Sequence, residues 1–553
     1  MEKMTFIKLY EKSFRKNFDF LAMTDYGSGK TFTYGEVAKE IAKLHILFKE
    51  CKINPDDKIS VIGKNSSRWG IAHLAAATYG AIVVPILHDF NANDVQHIIN
   101  HSDSVLLFAA DAVWETLAEE SLPQIKGVIS LKDFRLLSQR EEENVGNIIT
   151  QLDEKFAEKY PGGFGPDDIQ YSNQSDDELV VLNYTSGTTG FSKGVMIMGR
   201  NLSGNMQFAH DHICLKRGDR MLSFLPLAHT YGAAFDFLYA LTAGVEVTFL
   251  GKTPAPKVLL KAFEEVQPGV VISVPLIFEK IYKNMIIPTL HKRPVSWALS
   301  LPLLDTQIYS QIRKKLIHAL GGKVWQVIIG GAPFNSEVED FLLKIKFPVS
   351  VGYGMTECAP LISFSLCADF IPHSCGKVLD CMEARIDSED PENIAGEIQV
   401  RGQNVMAGYY KNETATKEAF TDDGWLRTGD LGTLDKNNNL FIRGRSKSMI
   451  LGPSGQNIYP EEIEAKLNNL PFVMESLVME KNRRLIALVY PDYDSVDESG
   501  LAHDNLALIM EENRTTLNKE VASYEKIAEI QLFPNEFEKT PKKSIKRYLY
   551  NNI

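Results

Sequence analysis

The residues best suited to chemistry lie between Thr185 and Lys193, in the stretch TSGTTGFSK. Small side chains let backbone N–H groups close on an anion, and glycine reaches the left-handed conformations from which anion nests are built. Gly187 supplies that freedom, the hydroxyls of Thr185, Ser186, Thr188 and Thr189 add donors, and Lys193 adds a charge suited to a phosphate. The strand-like run VVLNY leads in and the apolar run GVMI leads out, so the chemistry predicted is the binding of a polyphosphate. A second Gly-Lys segment, Gly27–Thr31 (GSGKT), fails the same test. A Walker loop needs a glycine five residues before Gly29, and Thr24 stands there. That segment is read as a β-turn.

Three other segments carry residue types that complete a nucleotide site. In IIGGAPF, Gly330, Gly331 and Ala332 present bare backbone on which a flat purine could lie. In VGYGMTE, Tyr353 offers a stacking face next to Gly354. Thr356 can donate to a phosphate, and Glu357 supplies the hard oxygen that Mg²⁺ prefers when it also bridges phosphates. Asp430, in the turn GDLG, is a good bidentate acceptor for ribose hydroxyls, and Arg445 could hold the same sugar or its phosphate. His229, in LPLAHTYG, fits either a half-buried, satisfied imidazole or a functional one. Asp236 could hold the amino group of an amino-acid substrate, while its neighbours Phe235 and Phe237 suit a fatty acid equally well.

The elements that must position these residues read as α/β. A helix predicted over Tyr34–Cys51 is followed by the turn NPDD and the apolar strand KISVIG, the alternation of a parallel sheet. The rhythm recurs at AIVVPI, VLLFAA and GVVISVP. From Ala384 onward, ARIDSED, GEIQVRG and NLFIRG are short strands separated by turns, as in antiparallel structure, and they predict a small β-barrel-like unit. After Gly444 the helix PEEIEAKLNNL and the strand RRLIALVYP begin a different unit, with the boundary near Arg443–Lys447. The predicted architecture is a large N-terminal domain of parallel α/β subdomains plus the barrel-like unit over 1–444, and a small α+β C-terminal domain over 445–553.

Composition bounds the rest. With 44% hydrophobic and 24% charged residues over 553 positions, the chain can build a large ordinary core, which excludes disorder as its main state. A net charge of −12 argues against a broad nucleic-acid surface, so any phosphate must meet a local basic site. Six cysteines without a CxxC pair suggest neither a disulfide scaffold nor a zinc site. The N-terminus lacks the apolar run of a signal peptide. Gly70–Leu87, the longest apolar stretch, reads as a buried helix and a buried strand rather than a membrane span. A cytoplasmic location is expected, with peripheral membrane contact open and oligomeric state unread.

Together, TSGTTGFSK, IIGGAPF, VGYGMTE and DGWLRTGDLG resemble the motifs of the adenylate-forming superfamily of acyl-CoA synthetases, peptide-synthetase adenylation domains and luciferases. GEIQVRGQNVMAGYYKNETATKEAF, LPLAHTYG and VPLIFEKIY narrow the resemblance to the long-chain fatty acyl-CoA synthetase branch, and it runs from TYGEVAKEIA to IKRYLY. It implies activation of a carboxylic acid, most simply a long-chain fatty acid, through an acyl-AMP, then thioester formation with CoA. ATP, Mg²⁺ and CoA are the implied cofactors and substrates. By resemblance, Gly330, Gly331, Ala332 and Tyr353 line the adenine site, Asp430 and Arg445 hold the ribose, Glu357 holds the metal and His229 lies near the acyl site. Lys447 matches the hinge of a mobile C-terminal domain, and Gly455 lies in the segment that turns towards CoA.

One departure stands out. The family's C-terminal motif places a lysine directly before the apolar residue of its GK-I-x-R pattern, where it contacts the reacting carboxylate and phosphate. Here the segment reads TPKKSIKR, and Ser544 holds that position. Lys543 lies one residue earlier, where a strand would point it to the opposite face, and Lys546 is a second candidate. Beside the CoA ligase stand a ligase loading acyl or aminoacyl groups onto a carrier protein, a nucleotide-binding protein with impaired catalysis, which Ser544 motivates, and a luciferase-like oxygenase.

Overall fold

The computed structural model describes residues 4–185, 193–290, 299, 304–451, 456–482, 484–540 and 545–550. Its largest sheet has eight strands. In spatial order they are Gly408–Tyr409, Lys193–Met198, Leu179–Thr185, Ile82–Ile86, Lys58–Ile62, Ser104–Ala109, Gly127–Ser130 and Leu136–Gln139. The centre is parallel and both ends are antiparallel. A strand covered by helices on both faces must be apolar throughout. Ile82–Ile86 meets this, every residue being buried.

The helix Tyr34–Glu50 begins at a reciprocal cap, in which Thr33 accepts from Glu36 N and Glu36 accepts from Thr33 N. The apolar stretch from Gly70 resolves into the buried helix Ser67–Tyr79, which stops at Gly80 with φ +101°, and the strand Ile82–Ile86. GSGKT enters a four-residue connection that leads into the strand Lys30–Thr33, with Gly29 N–H bonded to Asp25 O at 2.8 Å, a wider turn than the β-turn expected. Two further sheets complete the α/β part. Leu21–Asp25 and Lys30–Thr33 join Arg220–Ser223 and Glu246–Phe249, and Val270–Ser273, Gln326–Ile329 and Val349–Val351 run parallel.

The strands Met382–Asp387, Gly396–Gly402, Leu426–Leu434 and Leu440–Arg445 form an open antiparallel sheet, not the barrel-like unit expected. Four strands are too few to enclose a filled interior, which takes about eight. Ile398, Val400, Leu426 and Leu440 instead join the main core, and that requires an open face. A separate core follows, built from Ile463, Leu467, Val473, Val489, Met510 and Leu517 among others. It packs the helices Pro460–Leu467 and Leu506–Glu520 on the strands Val473–Lys481, Arg484–Pro491 and Glu529–Leu532. Among the described residues no helix is long and apolar enough to cross a membrane.

Candidate active site

Thr185 ends one strand and Lys193 begins the next, and the two face each other in antiparallel register, so the loop between them is closed at its base. Ser186, Gly187, Thr188 and Thr189 lie outside the described residues. The Lys193 ammonium sits 4.8 Å from the centre of the Tyr409 ring, a cation–π distance. Tyr409 reaches this point because Gly408–Tyr409 adds a short strand beside Lys193–Met198, with Tyr409 opposite Val195. Gly408 permits the approach: its φ is +142°, and a Cβ there would lie 2.7 Å from Thr416 Cγ2.

The Tyr409 hydroxyl donates to Glu357 Oε1 at 2.9 Å. Glu357 sits in the single turn Thr356–Cys358, and its carbonyl accepts the Met406 N–H at 2.8 Å, so backbone and side chain are tied to the same segment. Burial first, and the Glu357 charge second, push the Tyr409 phenol far above its ordinary value and keep it a donor. One tyrosine thus touches both the loop lysine and the carboxylate. Thr356 beside them is buried.

A second cluster lies on the open sheet. Asp430 and Arg445 are cross-strand partners, with Arg445 Nε 3.2 Å from Asp430 Oδ1, while the Tyr353 hydroxyl donates to Oδ2 at 2.6 Å. Asp430 is 8% exposed and the Arg445 side chain 70% exposed, so the pair runs from the interior outward. Burial raises the Asp430 carboxyl, and the guanidinium and phenol pull it back down. Gly330 follows the strand Gln326–Ile329 against the Tyr231 ring, where a Cβ would lie 3.2 Å from Cζ. Tyr231 is fixed by donating to Ile328 O at 3.1 Å. Gly331 has φ +87°, Ala332 is exposed, and Gly354 lets Pro360 O pass where a Cβ would stand 2.1 Å away. Gly331 and Ala332 are exposed and form a short open ledge, while Gly330 and Gly354 are covered by Tyr231 and Pro360.

His229 is half-buried, and its carbonyl accepts the Ala233 N–H at 2.9 Å. Asp236 is fully buried in the wide helical turn Ala233–Tyr239 between the buried Phe235 and Phe237, and burial holds its carboxyl well above the usual range. The Leu225 backbone N–H is the group that offsets this. Lys447 is exposed in the turn after Leu440–Arg445. Gly455 and Lys543 lie outside the described residues, whereas Lys546 Nζ is 3.5 Å from Glu538. All six cysteines are free thiols.

Sequence reasoning missed several residues that tie the site together. Tyr409 stood in the quoted run GYYKNE with no role. Its signal was the pair of tyrosines in an extended segment, which face opposite ways: Tyr410 donates to Asp103 at 2.9 Å while Tyr409 turns to Glu357. Asn335, directly after the IIGGAPF motif, also went unread. Its oxygen caps the helix Ser336–Lys344, and its Nδ2 donates to Ala465 O at 3.0 Å and Asn469 Oδ1 at 2.7 Å, across to the C-terminal unit. Lys283 makes a parallel link, to Val473 O at 2.9 Å and Asp492 at 3.2 Å.

Behind Asn335, Glu279 accepts its N–H at 3.3 Å, and burial raises the carboxyl to about 7. A folded-state value above the unfolded one means the native state holds the extra proton, so stability falls as pH rises from about 4.5 towards 7. Glu279→Gln is expected to remove this dependence. Its thermal midpoint should exceed the parent's at pH 8, by the equivalent of about 3 kcal/mol, and match it near pH 4.5. A parallel shift at both pH values would contradict the assignment.

The model of one protein family, described as AMP-binding enzyme, matches residues 10–410. The long-chain-fatty-acid--CoA ligase FadD15 of Mycobacterium bovis is 29% identical over 472 residues, covering 81% of this chain and 75% of that protein. The long-chain-fatty-acid--CoA ligase heimdall of Drosophila melanogaster is 27% identical, over 84% of this chain and 72% of its own. Among solved structures, the anthranilate CoA ligase AuaEII in complex with anthranoyl-AMP superposes with a TM-score of 0.78 at 16% identity, over 100% of this chain and 97% of that one. ATP-bound MatB from Rhodopseudomonas palustris gives 0.75 at 21% identity, over 99% of each chain. At these identities the two structures speak for the fold.

Proposed function

Since the chain belongs to the AMP-binding enzyme family, we propose that it joins a carboxylic acid to CoA in two steps through an acyl-AMP, releasing pyrophosphate and AMP, and that the acid is a long-chain fatty acid. The observation that carries the reading is the Lys193–Tyr409–Glu357 contact. It brings a cation from the closed loop and a hard carboxylate to one place, while Asp430 and Arg445 wait on the neighbouring sheet. The relatives named for long-chain acids favour the fatty substrate.

A carboxylate is a poor electrophile because oxide would have to leave. Its oxygen therefore attacks the α-phosphorus of ATP and expels pyrophosphate, and the mixed anhydride then has AMP as leaving group. In this reading Thr185, Ser186, Gly187, Thr188, Thr189 and Lys193 hold the β and γ phosphates. The ledge of Gly330, Gly331 and Ala332 and the Tyr353–Gly354 turn take the adenine, Asp430 and Arg445 take the ribose, and Thr356 donates to a phosphate. Glu357 fits Mg²⁺: one carboxylate suffices when phosphates and waters complete the shell, and no cluster of three or more metal-binding side chains gathers among the described residues. Bound there, the ion offsets charge developing on the phosphates. Lys543 steadies the α-phosphoryl oxygens and His229 borders the acid.

The thioester step follows a swing of residues 445–553 against 1–444 about Lys447, bringing Gly455 towards CoA, whose thiolate attacks the acyl carbon and releases AMP. Two cores divided near this turn, and a hinge residue in solvent, support that division. The test is pyrophosphate release over short, medium, long and aromatic acids, with and without CoA. Release that depends on acid and reaches steady turnover when CoA is added is expected, with long-chain acids fastest. Background release with every acid, despite measurable ATP binding, would overturn the reading.

Tyr409→Phe separates the two contacts of Tyr409, since the ring stays under Lys193 and the hydroxyl leaves Glu357. The Mg²⁺ concentration for half-maximal rate is expected to rise about tenfold, the scale of one charge-assisted hydrogen bond, with the ATP KM less affected. Tyr409→Leu should raise both. Equal Mg²⁺ dependence in Tyr409→Phe and the parent would refute the link.

A further inference from the structure

The two strand ends that carry Thr185 and Lys193 are braced from the far side of their sheet. Side chains alternate along a strand, so Tyr184 and Gly194, opposite each other and one step inside that pair, turn away from the face that Lys193 shares with Tyr409. The Tyr184 ring lies over Gly194, where a Cβ would stand 3.1 Å from Cζ. Tyr410 closes the edge, its N–H bonded to Gly194 O at 2.8 Å. Both tyrosines join a core separate from the main one, with Val95, Ile98 and Ile99 of the helix Ala92–His101.

That helix ends on the two rings. His101 Nδ1 is 2.7 Å from the Tyr184 hydroxyl, and its ring meets Tyr184 and Tyr410 edge-on at 5.8 and 5.9 Å. The residues around it hold the same edge: Asp103 accepts from the Tyr410 hydroxyl at 2.9 Å and pairs with Lys411 Nζ at 2.6 Å, while Lys411 also donates to His101 O at 3.1 Å. Asp103 and Lys411 are about half exposed, so their ion pair adds little. Tyr184 is 4% exposed, and a buried hydroxyl left without its partner loses the full hydrogen bond. The His101–Tyr184 contact is therefore the one that decides the brace.

We propose that His101 is a positioning residue for ATP binding: through Tyr184 and Tyr410 it fixes the strand ends that present Lys193 and Tyr409, and it does so only while its ring is neutral. This rests on the ATP-dependent reading above and adds to it a residue that acts through other side chains. A phenol is the stronger donor of the two groups and a neutral imidazole nitrogen the stronger acceptor, so Tyr184 donates to Nδ1. Burial first, then Tyr410 and Asp103, hold the Tyr184 phenol far above its ordinary value and keep it a donor. A proton on Nδ1 turns that nitrogen into a donor and takes away the acceptor of the phenol O–H. The surroundings favour the neutral ring. Burial first, then His97 one turn back at 5.6 Å and Lys411 on the edge, lower its affinity for a proton, with Asp103 opposing them. Lys58, from the strand Lys58–Ile62, adds a positive charge 5.7 Å from the Tyr410 ring.

The test measures the ATP KM in acid-dependent pyrophosphate release between pH 5 and 8 for the parent, for His101→Leu, and for His101→Asn, which keeps an acceptor at the place of Nδ1 but cannot titrate. At pH 8, His101→Asn should lie within about twofold of the parent and His101→Leu about fivefold above it, the scale of one hydrogen bond. As pH falls below the ordinary imidazole value of 6.5, the ratio of the parent's KM to that of His101→Asn should climb, by about twofold or more at pH 5, while protonation of ATP itself moves both alike. Thioester formation from preformed acyl-AMP and CoA should be unchanged in every variant, because that step holds no polyphosphate. Tyr184→Phe should match His101→Leu, and with His101→Asn it carries the test if His101→Leu does not fold. Calorimetric ATP titrations read the same pattern without turnover. That pattern in binding, with no release from any acid, would sink the ligase reading and keep the His101 assignment. A parent-to-His101→Asn ratio constant across pH, an ATP KM within about twofold of the parent in Tyr184→Phe, or parallel loss of both half-reactions would overturn it.

Discussion

Glu357→Gln is expected to slow acid-dependent pyrophosphate release by about 10²- to 10³-fold, the range seen when one charge-stabilising group is removed from a reaction centre. The amide keeps the size of the side chain, and its oxygen can still accept the Tyr409 hydroxyl now 2.9 Å from Oε1, so the turn Thr356–Cys358 need not move. What disappears is the negative, hard oxygen that makes the position fit Mg²⁺. ATP binding, held by the loop, the ledge and the Asp430 pair, should change by less than about tenfold, since those contacts do not pass through Glu357. The contrast with Tyr409→Phe is diagnostic: that variant keeps the charge and loosens its position, so extra Mg²⁺ rescues it, whereas extra Mg²⁺ should not rescue Glu357→Gln. Because both act on one site, the double variant should be little worse than Glu357→Gln alone. A Glu357→Gln enzyme retaining more than about a third of the parental rate at saturating Mg²⁺ would refute the metal role, the loss being smaller than a typical hydrogen bond would give.

Elements whose period matches their burial were readable from the chain. Ile82–Ile86 is apolar at every position because helices cover both faces, and Tyr34–Glu50 announces its start through Thr33 and Glu36. The antiparallel strands after Ala384 were equally plain, but their closure was not, because an apolar strand face does not say whether it meets its own sheet or another core. Ile398 and Leu426 meet another core. The site divides the same way. Asp430 and Arg445 sit in motifs at a distance in sequence, and strand register makes them partners. Tyr409 owes its place to the edge strand Gly408–Tyr409 joining a sheet whose neighbour lies more than 200 residues earlier in the chain. No local pattern encodes such a junction.

Lys543→Ala is expected to lower the first half-reaction, read as acid-dependent ATP–pyrophosphate exchange, by about 10²-fold or more, while Lys546→Ala stays within about twofold. The asymmetry follows from what surrounds the segment. Lys539 and Ile545 pair across an isolated antiparallel bridge, and Lys546 N–H bonds to Glu538 O at 2.8 Å. Lys546 is engaged with Glu538 at 3.5 Å, and Arg547 beside it is bound to Glu464 and Val478 O, which anchors that side of the segment to the C-terminal unit. The second half-reaction needs no charge on the α-phosphoryl oxygens beyond what the mixed anhydride already carries. Preformed acyl-AMP plus CoA should therefore give thioester at near-parental rates in Lys543→Ala. Parallel loss in both half-reactions would point to a folding defect, which Lys543→Arg separates by keeping the charge. Full exchange activity in Lys543→Ala would end the assignment and leave Ser544 marking a protein that activates its acid without a lysine at this position.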